Sequence, residues 1–197
     1  MKSRLLLCAF LLLVLVLSLL STQERDQLDV YVEELTRAEG ELSPLILESY
    51  HIRNVILRYD QETSREEANY RAAYIVLTCR DLEVDPYLIC AIIIEESGFD
   101  QEAESPKGAK GLMQLMPIIE ESYDVDADIL EENIIGGVKF IRDLLDQYEG
   151  DLVTALAHYN AGSRPRYALR NYRETQNFVE DVMLRYRNLK EKYREDD

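Results

Sequence analysis

The 197-residue chain is poor in the side chains that hold metals: it has two histidines and three cysteines. No CxxC pair and no His/Cys cluster occurs, and His51 and His158, each standing alone, are expected to pack or hydrogen-bond ahead of binding a metal. Cys8 falls in an N-terminal apolar run. Cys79 and Cys90 flank the joint "RDLEVDP" and are read as buried free thiols ahead of a disulfide, which an oxidising compartment would allow. Positive charge is also scarce. Lys and Arg total 22 against 38 Asp and Glu, a formal net charge of -16. Such a chain is a poor partner for nucleic acid or anionic lipid. No segment alternates for the length of a strand, and no repeat or low-complexity linker appears.

What is present is helix signal. Residues 23–37 carry Leu28, Tyr31, Val32 and Leu35 among charges, an i, i+3, i+4, i+7 stripe. A second helix is expected from Leu45 to Tyr59. Ser64 followed by Glu67 reads as a capping box. Asp85 then Pro86 reads as an N-cap with proline at the first helical position. Val138, Ile141, Leu144, Leu145 and Tyr148 mark a further helix, Gly150-Asp151 restarts one through "LVTALAHY", and the chain ends in a long amphipathic stretch. The fold class is therefore all-α. The organisation reads as an N-terminal leader (1–22), a helical extension (23–65) and one helical domain (66–197).

The leader "MKSRLLLCAFLLLVLVLSLLSTQERD" has a basic start and an apolar run over residues 5–20. That is the layout of a secretion signal. Its length lies between a signal core and a spanning helix, so it is either cleaved or kept as a membrane tether. Both place the domain outside the cytoplasm.

Residues 86–94, "PYLICAIII", are apolar all round, which describes a buried central helix. Glu95 and Glu96 occupy its last turn. Desolvation and the negative end of the helix dipole both disfavour charge there, so a carboxylic acid could stay protonated near neutral pH and donate a proton. Two ordinary surface acids would give the same letters. Downstream, Gly108, Ala109 and Gly111 allow close backbone approach, "GLMQLMP" offers the Gln114 amide between thioethers, and "HYNAG" puts Tyr159 and Asn160 at a helix end. These groups suit a sugar carrying amides, though each also has a plain structural use.

Taken together, "ESGFDQEAESPKGAKGLMQLMP", "NIIGGVKFIRDLL", "ALAHYNAG" and "NYRETQNFVEDVM" resemble, in order and spacing, the motifs of the soluble lytic transglycosylase (SLT) domain family. The resemblance covers about residues 72–183. It implies a lysozyme-like helical fold and cleavage of peptidoglycan glycan strands, with no metal or cofactor. It selects Glu96, the glutamate before Ser97, as the catalytic acid. It places Ser105, Gln114, Met116, Tyr159, Asn160, Tyr172 and Glu174 as substrate contacts. It implies that one acid works twice, protonating the bond between N-acetylmuramic acid and N-acetylglucosamine and then closing a 1,6-anhydro ring. A muramidase using water, or a non-catalytic wall-binding scaffold, are the alternatives. The sequence departs from the family at His158, usually a small residue, at Gln176 and Phe178, and in the short basic segment "SRPRYALRN".

Overall fold

The computed structural model describes residues 44–194. The leader and the helix expected over 23–37 lie outside the described residues. The described residues form eight helices: α1 (Pro44–Tyr59), α2 (Arg65–Asp81), α3 (Pro86–Glu96), α4 (Pro117–Tyr123), α5 (Leu130–Gln147), α6 (Leu152–Ala161), α7 (Pro165–Asn171) and α8 (Arg173–Arg194). Among the described residues, extended pairing is limited to isolated bridges, Glu104 with Lys110 and Lys110 with Leu115. None of the described helices is long and apolar enough to cross a membrane.

The chain divides into two compact units, with the boundary inside α2. The first holds residues 44–57 and Gln61–Leu77. Its buried apolar residues recur at helical spacing: Ile52, Val55 and Ile56 on α1, then Ala68, Ala72, Ile75 and Val76 on α2. Ser64 Oγ accepts from the Glu67 backbone N–H at 3.1 Å, the expected half of the capping box. The Glu67 carboxylate itself pairs with Arg71 one turn on, at 2.9 Å.

The second unit holds Arg58–Asp60 and everything from Thr78 onward. Its centre is α3. Asp85 caps the helix by accepting from the Tyr87 N–H at 2.9 Å, and Pro86 fills the first turn. Leu88 through Ile94 are all buried. Each fully buried Ile or Leu contributes roughly 1.5–3 kcal/mol relative to exposure. The amphipathic α8 lies along α3 and is tied to it at both ends. Tyr186 and Lys190 both donate to Asp85 Oδ2, at 2.8 and 2.7 Å, and Tyr193 stacks on Tyr87. At the other end Arg185 donates to Glu95. Cys79 and Cys90 are both buried, and no disulfide joins them.

Two short helices went unread in the sequence, α4 and α7. Each has proline in its first turn and too few residues to display a period.

Candidate active site

The two glutamates ending α3 have different surroundings. Glu95 accepts a charged hydrogen bond from Arg185 Nε, and the same guanidinium donates to the Tyr59 hydroxyl at 2.7 Å. Its charge is matched and it fastens α8. Glu96 has no such cation among the described residues. It is partly exposed, yet burial of its carboxyl raises the pKa from 4.5 to about 8, with the neighbouring Glu95 charge adding to the rise. Successive helical residues diverge by about 100°, which is how adjacent acids reach different environments. Glu96 is thus a protonated acid at neutral pH. Asp100, Glu102 and Glu104 follow closely in sequence, but the charge bearing on Glu96 is that of Glu95.

The chain turns sharply after Glu96. Gly98 and Phe99 both take positive φ, 62° and 72°, and the Phe99 ring is fully buried beneath the turn. Few side chains tolerate that backbone; burial of the ring offsets the strain at Phe99. Ser97 Oγ donates to the Leu112 carbonyl at 2.7 Å, joining the helix end to the segment that follows.

That segment, residues 110–115, is held from three helices. Ser97 holds it from α3. From α5, Asn133 is 1% exposed and makes three bonds: Oδ1 accepts from Met113 N–H at 2.9 Å, and Nδ2 donates to the Lys110 and Ala127 carbonyls at 2.9 and 3.0 Å. From α6, the Tyr159 hydroxyl donates to the Met113 carbonyl at 2.8 Å, and its ring packs on Phe140, centroids 5.1 Å apart. The approach is close. A Cβ on Gly111 would stand 2.2 Å from Asn133 Nδ2, and one on Gly137 would stand 2.3 Å from Met113 Sδ. Burial and the Glu96 charge together raise the Tyr159 pKa well above its usual value, so the hydroxyl keeps its proton as a donor beside that acid.

The other sequence-derived residues fall as follows. Ser105 Oγ accepts from the Lys107 and Ala109 N–H groups at 3.3 and 3.0 Å, organising its own loop. Gln114 sits at φ 47°, and its Nε2 donates to the Ala103 and Gly111 carbonyls at 2.9 and 3.1 Å. Both its amide hydrogens are committed to the loop, leaving Oε1 as an acceptor. Met116 is 37% exposed at the start of α4. Asn160 Oδ1 accepts from Thr175 Oγ1 at 3.0 Å, which joins the end of α6 to the start of α8. Tyr172 is exposed with its ring edge-on to Tyr167, and Glu174 is exposed in the first turn of α8.

The residues at which the sequence departs from the family pattern are satisfied locally. His158 Nδ1 and the Tyr148 hydroxyl hydrogen-bond at 2.9 Å, and desolvation lowers the imidazole pKa. Gln176 Nε2 donates to the Leu169 carbonyl at 2.6 Å, and Phe178 is buried. Sequence reasoning passed over Asn133 as a site residue, although it opens the motif "NIIGGVKFIRDLL". A lone asparagine in the first turn of a helix reads as a surface cap.

Gln114→Ala removes two hydrogen bonds from a strained turn, so it should destabilise the unit by about 1–3 kcal/mol. Thermal melting checks this: the midpoint should fall by roughly 2–4 °C per kcal/mol. An unchanged midpoint would mean that those bonds contribute nothing to the loop.

The transglycosylase SLT domain family model matches residues 78–181, just over half of the chain. A curated transglycosylase of Enterobacteria phage PRD1 is 41% identical over 81 residues, covering 41% of this chain and 30% of that protein. The membrane-bound lytic murein transglycosylase F of Desulfosudis oleivorans is 39% identical over 85 residues, covering 40% and 19%. The chain therefore spans less than a third of the length of either relative. Among solved structures, an inactive glutamate-to-glutamine mutant of the lytic transglycosylase Slt of Pseudomonas aeruginosa superposes with a TM-score of 0.55 at 23% identity, covering 75% of this chain and 30% of that one. The 70 kDa soluble lytic transglycosylase of Escherichia coli gives 0.51 at 22% identity, covering 75% and 29%. At these identities the likeness is one of fold.

Proposed function

Because the chain belongs to the transglycosylase SLT domain family, we propose that it is a peptidoglycan lytic transglycosylase with Glu96 as its single acid and base. The observation that carries this reading is the contrast at the end of α3: Glu95 is matched by Arg185, while Glu96 is an uncharged carboxylic acid with a pKa of about 8. A proton donor at neutral pH needs that environment. Glycosidases of the two-carboxylate kind set a second acid across the bond. Here the acid acting on Glu96 is its chain neighbour, already held by a guanidinium.

The steps balance without water. Glu96 gives its proton to the oxygen linking N-acetylmuramic acid to N-acetylglucosamine, and the bond from that oxygen to the muramic C1 breaks. The resulting carboxylate takes the proton from the muramic C6 hydroxyl, O6 bonds to C1, and the acid is regenerated. The Tyr159 hydroxyl and the segment it pins shape the wall beside the acid. Ser105, Gln114 Oε1, Met116, Asn160, Tyr172 and Glu174 are the contacts assigned to the glycan. The relatives, lytic transglycosylases among them, support the substrate class.

The decisive experiment is mass analysis of soluble products from purified wall digested by the chain. Anhydro products, lighter by one water than hydrolysed muropeptides, are expected. Products with reducible ends would make it a muramidase, and wall binding with no release would make it a scaffold. The leader and the location of the substrate further assign the domain to the outside of the cytoplasmic membrane. A reporter active only there, fused after Asp197, should be active; a cytosolic signal would refute the assignment.

The pH profile follows from the acid form being the working one. Glu96 is protonated below about pH 8, so kcat/KM should fall as pH rises through that value. Glu95→Gln removes the second cause of the raised pKa, so its alkaline limb should move to lower pH while most activity remains. An alkaline limb unmoved by that change would separate the limb from Glu96.

A further inference from the structure

The charge of this chain is unevenly placed. Against 38 acids overall, residues 152–173 contain no acid and four arginines, Arg164, Arg166, Arg170 and Arg173. All four are exposed. The helix α7 carries two of them one turn apart, on the side away from its buried Pro165 and Ala168. Between them stands Tyr167, 54% exposed, whose ring meets that of Tyr172, 51% exposed, at 5.7 Å. An acidic protein that keeps two neighbouring aromatic rings and four guanidinium groups in the open on and immediately around one short helix presents an anion-binding surface.

Its position is fixed beside the site. Gln176 of α8 donates to the Leu169 carbonyl of α7, and Asn160 at the end of α6 accepts from Thr175 at the start of α8. The patch therefore adjoins the end of α6 that carries Tyr159 and Asn160. Of the four arginines, Arg166 lends its charge to Asp151 at the start of α6, and no ion pair is made by Arg164, Arg170 or Arg173 among the described residues.

Resting on the reading of the groove as a glycan site, we infer that α7 recognises the carboxylates of the peptide branches carried by the glycan strand. Muramic acid bears its branch on the lactyl arm, beside the ring that reacts. A strand seated at Glu96 sends that branch out of the groove, and its free carboxylates are ligands for guanidinium groups. The two tyrosines supply apolar faces for the branch backbone. The surface makes this chain selective for strands whose branches are present and anionic.

Binding to insoluble wall tests this without relying on turnover, using Glu96→Gln as a common background to prevent digestion. Four walls are compared by co-sedimentation: intact, with branch carboxylates converted to amides, with branches removed, and stripped of phosphate polymers by hydrofluoric acid. Intact and phosphate-stripped walls should bind alike, and the amidated and branch-free walls about tenfold more weakly. Adding Arg166→Gln and Arg170→Gln should abolish that difference, adding Arg166→Lys and Arg170→Lys should restore most of it, and Arg187→Gln on α8 should leave it unchanged. Equal binding to all four walls, a difference that survives the glutamine pair, or binding lost only with the phosphate polymers would overturn the inference. Wild-type chain that binds in the expected way but releases no soluble product would instead sink the proposed activity and leave the surface standing.

Discussion

Glu96→Gln is expected to lower cleavage of purified peptidoglycan by about 10²–10⁴, the loss typical of a missing general acid and base. Glutamine keeps the shape and the neutral charge of the protonated acid, so substrate should still bind and the loss should fall on kcat. The same change should stabilise the fold above neutral pH. Glu96 holds its proton in the folded chain up to about pH 8, while the unfolded chain releases it near 4.5. A group whose folded pKa is raised contributes stability that is full below the unfolded value and lost as pH rises through the folded one. The wild type therefore loses stability between these values and the variant does not. Above pH 8 the difference should be on the order of 2 kcal/mol, allowing for the carboxyl's access to water; near pH 4 it should vanish. Melting curves at both pH values read this directly. Full activity in the variant would move the reaction to another residue, and a pH-independent difference in stability would mean that the acid is not held neutral. A site residue whose removal stabilises the protein marks a place where function is kept against folding.

The choice between Glu95 and Glu96 could not be made from burial and dipole alone, because both forces act on the whole last turn of α3. The proposal of Glu96 rests on the family resemblance and on the location of Arg185, which is 90 residues from Glu95 in sequence. The caps and the apolar periods were legible, since Asp85-Pro86, Ser64-Glu67 and the stripe through Val138, Ile141 and Leu144 are local patterns. What escaped reading is the non-local part. Gln114 looks in sequence like an exposed amide offered to a ligand, yet its hydrogens bind Ala103 and Gly111. Ser105 likewise spends its acceptor capacity on its own turn. Short polar residues in loops read the same whether they hold the loop or hold a ligand, and only the backbone path separates the two. Gly136 and Gly137 are likewise non-local in their use: inside α5 they admit the Leu115 and Met113 side chains against the helix.

Asn133→Ala should be the most damaging single change outside the reacting acid, and it should act on stability and activity together. The side chain is 1% exposed and completes three backbone groups, the Met113 N–H and the carbonyls of Lys110 and Ala127. Alanine leaves the Met113 N–H and the Ala127 carbonyl without a partner in a place water reaches poorly, and leaves the Lys110 carbonyl with the Leu115 N–H alone. Each such group costs about 1–3 kcal/mol, and relaxation of the segment recovers part of the total, so a loss of about 3–5 kcal/mol is expected. Aspartate separates the terms: it keeps the acceptor for Met113 but turns the donors to two carbonyls into repulsion, so it should be no better than alanine. Gly111→Ala reaches the same contact from the other side, because its Cβ would stand 2.2 Å from Asn133 Nδ2 and 2.8 Å from the Ala127 carbonyl, at a φ of 71° that alanine resists. If the two changes act on one joint, the double variant should lose less than the sum of the singles, by at least about 1 kcal/mol. Denaturant midpoints for the four proteins measure that coupling. Strict additivity would mean that Asn133 and Gly111 stabilise the molecule separately, and that the segment beside Glu96 is not held through this joint.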